Sequence, residues 1–270
     1  MATDVLSPEL VTSGLETRFI GQRVIHFLSH GSTMEAAKRE ARRTAAEGTV
    51  VITEEQTAGK GRAKRVWLSP KGSISLSVIL YPGISQLSYL IMITSVAVAR
   101  SIEMVTGLKT QLKWPNDVLV KGKKVCGILI ENELQGDRAT WAIIGIGINA
   151  NIRMKDFPEI AATATSLSDE LGKGISRVEV IRCLFVEMEN LYLSLGDGEL
   201  IYQEWRDRLI TRGRRVQVVD GKKMLEGVAE TVTKDGSLVL RHDNGSISYI
   251  VAGDVTLRNT RLDSPATLGQ

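Results

Sequence analysis

Between Arg214 and Arg258 the chain changes character, and that change limits the folds open to it. Short apolar segments alternate there with turn signals at Asp220-Gly221, Lys234-Asp235-Gly236 and Asp243-Asn244-Gly245, ending at Val255-Thr256-Leu257-Arg258. Strands cut by turns at this spacing predict a small all-β barrel. Upstream, helical and strand periods are mixed. The 270-residue chain therefore reads as α+β: a mixed domain over 1–211, a β module over 212–258 and a loose polar tail over 259–270. With 43% hydrophobic and 24% charged residues it is an ordinary globular composition, not a disordered one. A net charge of +3 is too weak to imply nucleic-acid binding by itself.

In the mixed domain, Val24–Leu28 reads as a first strand. Gly31-Ser32-Thr33 opens a helix, with Ser32 and Glu35 spaced for a capping box and Gly48 as its end. Residues 1–23 are weakly patterned and too short for a helix-turn-helix module. His26 and His30, with no third ligand nearby, read as strand-edge residues and not as metal ligands. Thr49–Thr53 is a short buried strand. Ile74, Leu76, Val78 and Leu80 alternate with serines, predicting a half-buried strand with its small residues outward. The apolar run Leu87–Ala99 is short for a membrane span and reads as part of a buried helix, Gln86 to Val105, closed by Gly107. Pro115 cannot donate to a sheet ladder, so a break between two strands is expected there. A hairpin with the basic turn Lys121-Gly122-Lys123 follows, and the chain returns through Gln135-Gly136-Asp137 to Ile148. Ser176 and Glu179 start a further helix with Ile181, Leu184, Met188, Leu191 and Leu195 on one stripe. With two cysteines and no secretory pattern at the start, a reduced cytoplasm is expected.

Three stretches point at one pocket for an anionic, phosphate-bearing ligand: Gln56-Thr-Ala-Gly-Lys-Gly-Arg62, Lys113-Trp-Pro-Asn-Asp117 and Gly145-Ile-Gly-Ile-Asn149. In the first, glycines let the backbone approach a ligand, Lys60 and Arg62 supply cationic donors, and Trp67 can stack on a planar ring. A solvated basic loop is the plainer reading of the same residues. Fixed cations are also what acyl adenylation needs, because charge builds on the phosphoryl oxygens as pyrophosphate leaves. Gly145-x-Gly-x-Asn149 lacks the third glycine of a dinucleotide fingerprint. It reads as a strand closely approached by another backbone, or as a strand end that brings Asn149 to a phosphate or ribose. Asp117 is a turn cap or a ribose or metal-phosphate contact. Cys126 reads as a small buried residue facing the pocket wall, not a nucleophile.

Together these stretches, with Lys124 and Gly127 between them, resemble the signatures of biotin protein ligases in order and spacing. The resemblance runs from about Val24 to Arg258 and implies an SH3-like barrel at the C-terminal end. It also implies an AMP-forming activity: biotin and ATP with Mg²⁺ give biotinyl-5′-AMP, and biotin passes to a lysine of a biotin carboxyl-carrier domain. The implied biotin-binding residues are Ser32, Thr33, Met34, Gln56, Lys60, Gly61, Arg62, Lys124 and Gly127. The implied nucleotide-binding residues are Arg62, Trp67, Lys113, Asn116, Asp117, Lys124, Asn149, Thr165, Ser166 and Arg258. Arg62 and Lys124 would be catalytic; no fixed metal site is implied, only Mg²⁺ carried with ATP near Asp117. Two positions depart from the family pattern: Met34 stands where asparagine is usual, and Lys60 where arginine is usual. Lipoate ligation by the same fold and a DNA-binding biotin-sensing repressor are the competing readings. The second has no room for its helix-turn-helix in residues 1–23. A homodimer through exposed strand edges at 139–148 is expected, with no DNA or membrane partner.

Overall fold

The computed structural model describes residues 5–136, 138–220 and 223–258; the tail 259–270, Asp137 and Gly221 lie outside the described residues. In chain order the larger part consists of α1 (Pro8–Thr12), β1 (Val24–Phe27), α2 (Thr33–Arg42), β2 (Val50–Thr53), β3 (Ile74–Leu80), α3 (Leu90–Thr106), β4 (Thr110–Lys113), β5 (Asp117–Val120), β6 (Lys123–Gln135), β7 (Arg138–Ile148), α4 (Leu167–Leu171), α5 (Arg177–Leu193) and α6 (Glu199–Arg208). A seven-stranded sheet runs β1-β2-β3-β7-β6-β5-β4, with β1 parallel to β2 and the other pairs antiparallel. The smaller part is a five-stranded antiparallel sheet, β8 (Arg215–Asp220), β9 (Lys223–Val232), β10 (Leu238–Arg241), β11 (Ile247–Ile250) and β12 (Asp254–Leu257), in the order β11-β10-β9-β8-β12. Both the mixed α+β architecture and the separate β module agree with the expectation.

Helix α3 lies between the sheet and α5 and α6. The helical stretch Ile84–Thr106 is long and apolar enough to cross a bilayer by length and composition, but most of it is buried in this core. Gly107, in the left-handed region at φ 73°, ends α3 as expected. Helix α2 covers the opposite face of β2, β3 and β7, with Met34, Ala37 and Val51 in the small cluster between them.

Five expectations are corrected. Strand β3 is buried along its whole length, because it lies inside the sheet with helices over both faces. Its serines point inward and find partners there: Ser77 Oγ donates to Thr33 Oγ1 at 2.8 Å. The capping box at Ser32 does not form, since Ser32 Oγ makes no cap bond and Glu35 is taken by lysines. Helix α2 ends at Arg42, not near Gly48, which instead turns the chain at φ 76° against the Phe19 backbone. Strand β7 is not a free edge: residues 142–148 pair with both β3 and β6, so only its first residues lack a second neighbour. Cys126 belongs to the main core and not to the pocket lining, and burial pushes its thiol well up.

The weakly patterned start is also built in. Leu6, Val11 and Ile20 are fully buried, and α1 packs on α5. Glu189 of α5 accepts the backbone N–H groups of Arg18, Phe19 and Ile20 at 2.5–2.9 Å. Glu54 accepts the N–H of Leu6 at 2.7 Å while paired to buried Arg177 at 2.8 Å. Two buried carboxylates thus collect a segment with no helical or strand period of its own.

Candidate functional site

Between α2, the ends of β5, β6 and β7, and the β module lies a cavity of about 330 Å³. Its lining includes every biotin-site residue expected from the sequence: Ser32, Thr33, Met34, Gln56, Lys60, Gly61, Arg62, Lys124 and Gly127. Of the expected nucleotide residues it includes Arg62, Trp67, Lys113, Asn116, Asp117, Lys124 and Asn149.

One end is neutral and hydrogen-bonding. Gln56 Oε1 accepts from the Thr33 N–H at 3.0 Å, which turns the glutamine toward the start of α2. Ser32 Oγ is buried there without a partner, as is Trp67 Nε1; these are two of the few such atoms among the described residues. A buried polar atom left unpaired is costly, so Ser32 Oγ, in the cavity lining, is a point where a bound molecule gains a hydrogen bond, whereas Trp67 Nε1 is turned against Gly147.

The floor is built by glycine. A methyl group added at Gly147 would meet the Trp67 indole at 2.3 Å, and one at Gly145 would meet Met34 Sδ at 2.5 Å. What approaches β7 is therefore a pair of side chains, not the second backbone expected from the glycine pattern.

The other end is cationic. Arg62 Nη1 donates to Asn116 Oδ1 at 3.3 Å and to the Gly253 carbonyl at 3.4 Å. Asn116 is itself held by its Nδ2 donating to the Ile128 carbonyl at 2.6 Å. Lys124 Nζ pairs with Asp117 Oδ1 at 2.5 Å and lies 5.4 Å from the Trp67 ring centre. Burial weakens the hold of Arg62 and Lys113 on their protons; Asp254 and Asp117 oppose the effect at Arg62, and Asp117 most at Lys113. Partly dehydrated cations bind an anion more strongly than solvated ones. Pro115, after a cis Trp114–Pro115 bond, interrupts the sheet between β4 and β5 as expected and turns Asn116 and Asp117 into the pocket.

Thr165, Ser166 and Arg258 are not in the lining. Thr165 Oγ1 donates to Glu170, Ser166 Oγ caps α4 by accepting the Asp169 N–H at 3.1 Å, and Arg258 pairs with Glu226 in the β module. Conversely, Asp254 and Val255 of the β module line the cavity, and Arg65 ion-pairs with Asp254. Arg65 belonged to a visibly basic segment. Asp254 carried no signal, being one acid among turn residues.

A mixed sheet carrying a pocket with a neutral polar end and a cationic end, closed by a second β module, suits a ligase of the biotin/lipoate type, and the comparisons with known proteins show that class. The model of the biotin/lipoate A/B protein ligase family matches residues 27–149, and that of the biotin protein ligase C-terminal domain matches 211–258. The bifunctional ligase/repressor BirA of Bacillus subtilis is 36% identical over 258 residues, 93% of this chain and 79% of that protein. The biotin–[acetyl-CoA-carboxylase] ligase of Mycobacterium tuberculosis is 30% identical over 268 residues, 93% of this chain and 97% of that protein. Among solved structures, the biotin protein ligase of Aquifex aeolicus in complex with biotin and ATP superposes with a TM-score of 0.74 at 28% identity, covering 88% of this chain and 99% of its own. The chain belongs to the biotin protein ligase family.

Proposed function

We infer that this protein activates biotin with ATP to biotinyl-5′-AMP and transfers the biotinyl group to a lysine of a biotin carboxyl-carrier domain. The observation that carries the reading is the polarity of one cavity: Ser32, Thr33 and Gln56 at one end, glycine and Met34 along the floor, and Arg62, Lys113 and Lys124 at the other. Biotin has the same order of parts, a ureido group, an apolar ring and chain, and a carboxylate that becomes a phosphate anhydride.

In the first step a biotin carboxylate oxygen attacks the α-phosphorus of ATP, brought with Mg²⁺ as co-substrate, and pyrophosphate leaves. Arg62 and Lys124 hold the two anions together and offset the charge that builds on the phosphoryl oxygens. In the second step an acceptor lysine amine attacks the acyl carbon and AMP leaves. Asp117, paired with Lys124 in the cavity lining, is assigned to the ribose or to that incoming amine. The glycine-rich loop over the cavity keeps water from the anhydride. A cytoplasmic location fits this chemistry, and Cys126 and Cys183 are free thiols. The homodimer remains part of the reading, with the outer strand β1 of the large sheet as an available edge; β4 is already bridged on its outer side by residues 209–210.

Pyrophosphate release with ATP and Mg²⁺, measured in parallel with biotin, lipoate and octanoate, tests the assignment. Turnover with biotin alone, followed by label on one carrier-domain lysine, is expected. Turnover with lipoate instead would overturn the substrate. Arg62→Gly is expected to release the adenylate and label lysines indiscriminately; unchanged selectivity would remove Arg62 from its role. A gel shift on biotin-operon DNA separates the repressor reading.

A further inference from the structure

The loop over the cavity is a small hairpin of its own. Gly61 N–H donates to the Arg65 carbonyl at 2.7 Å and Trp67 N–H to the Gly59 carbonyl at 3.0 Å, closing residues 59–67 into two arms. At its tip Ala63 and Lys64 sit in the left-handed region at φ 50° and 62°. Neither is glycine, so the tip holds a conformation that side-chain-bearing residues rarely adopt. Being tied internally, the hairpin can be oriented as a unit by one contact on each arm.

Both contacts are present, and both partners are carboxylates outside the loop. On the first arm, Lys60 Nζ lies 2.6 Å from Glu35 in the first turn of α2. Glu35 also takes Lys38 at 3.0 Å, and Lys38 reaches Glu131 of β6, so the anchor is the end of an alternating chain. On the second arm, Arg65 pairs with Asp254 at the start of β12. Lys60 is therefore turned toward α2, and not toward the cation cluster of Arg62, Lys113 and Lys124. We propose that Glu35 and Asp254 are positioning residues that latch the 59–67 hairpin over the pocket from its two sides and so set how long the activated acyl group is retained. The proposal rests on the ligase reading for what is retained, though the latch itself is a property of the loop.

Ion pairs this exposed shift an open–closed equilibrium by a factor of about 1.5 to 5 each. The hairpin carries four trypsin sites; Lys60, Lys64 and Arg65 are already exposed and Arg62 is half-buried, so cleavage reports opening through release of the hairpin backbone that a protease must bind extended. The test compares wild type, Glu35→Gln, Asp254→Asn and the double variant by peptide-resolved tryptic cleavage after Arg62 and Lys64, without ligand and at rising NaCl. Each single variant is expected to be cut about 1.5- to 5-fold faster and the double by about the product. Salt should accelerate wild type but leave the double variant unchanged, since screening acts on the pairs already removed. Equal cleavage in all four proteins, or the same salt response in wild type and double variant, overturns the latch. In parallel, [¹⁴C]biotin with ATP and a bystander protein reads adenylate escape. Glu35→Gln should retain biotin-dependent pyrophosphate release yet label the bystander several-fold more; retained release with no extra label refutes the role in retention. Absence of biotin-dependent release in wild type would count against the ligase reading alone, because cleavage reports the latch independently.

Discussion

Gly147→Ala tests the glycine floor with a single methyl group. The added Cβ would lie 2.3 Å from Trp67 Nε1, 2.4 Å from Cε2 and 2.8 Å from Cζ2. Ordinary carbon contacts begin near 3.5 Å, so the indole must move by about 1.2 Å or swing away. Its backbone is held to Gly59 at 3.0 Å, which leaves side-chain rotation as the outlet. Overpacking of this kind costs about 1–3 kcal/mol when the neighbour is confined. Trp67 lies on a surface loop, so most of the penalty should fall on ligand binding and little on folding. A base stacked on an aromatic side chain gains about 1–3 kcal/mol, and losing that stack would raise KM for ATP roughly 5- to 150-fold. The assay is pyrophosphate release against ATP concentration at saturating biotin, beside a urea unfolding curve. Gly31→Ala is the control, since nothing lies within 4 Å of a methyl group there. A folded Gly147→Ala protein whose KM for ATP stays within twofold of wild type would refute the platform.

Three further outcomes follow from the packing and charge. Trp114 is 1% exposed and its Nε1 donates to the Gly236 carbonyl at 2.9 Å, so Trp114→Ala should cost about 3–5 kcal/mol in urea unfolding; a loss below 1 would contradict its tethering of the β module. Arg177→Met leaves Glu54 buried without its cation and should cost about 3–5 kcal/mol by the same measurement, partly recovered by adding Glu54→Gln. Lys60 above all, then Lys38, hold the Glu35 carboxyl down to about 2 from the usual 4.5. Its contribution is then complete above the usual value and lost as pH falls through about 2. An NMR titration of Glu35 should show that low midpoint, and Lys60→Met should raise it; an unmoved midpoint would mean the pair does not form in solution.

What could be read in advance was what local chemistry dictates. Pro115 announced the break before β5, Gly107 the end of α3, and the Lys121-Gly122-Lys123 turn the β5–β6 hairpin. The polar residues around the cavity were legible because the three stretches carry them in compact clusters. What escaped depended on partners far along the chain. The serines of β3 look like an outward face until the sheet order places helices on both sides. Ser32 reads as a helix cap, yet Glu35 is claimed by Lys60 and the hydroxyl is left facing the pocket. Residues 5–23 have no period because Glu189 and Glu54, not a repeating apolar face, hold them. Thr165, Ser166 and Arg258 followed the family pattern, but their side chains serve a helix cap and local polar contacts.

The wall that the β module gives the cavity also sets when, during synthesis, the site can exist. Arg62 meets the Gly253 carbonyl across 191 residues, and Arg65 meets Asp254 across 189. A nascent chain on the ribosome can pair its large sheet early, and Glu35 can already take Lys60, but the second arm of the loop has no anchor until the last strand has emerged. Truncated products that end before that strand would carry the cations without their enclosure. The reaction chamber is thus completed only by a strand that the chain makes long after its loop.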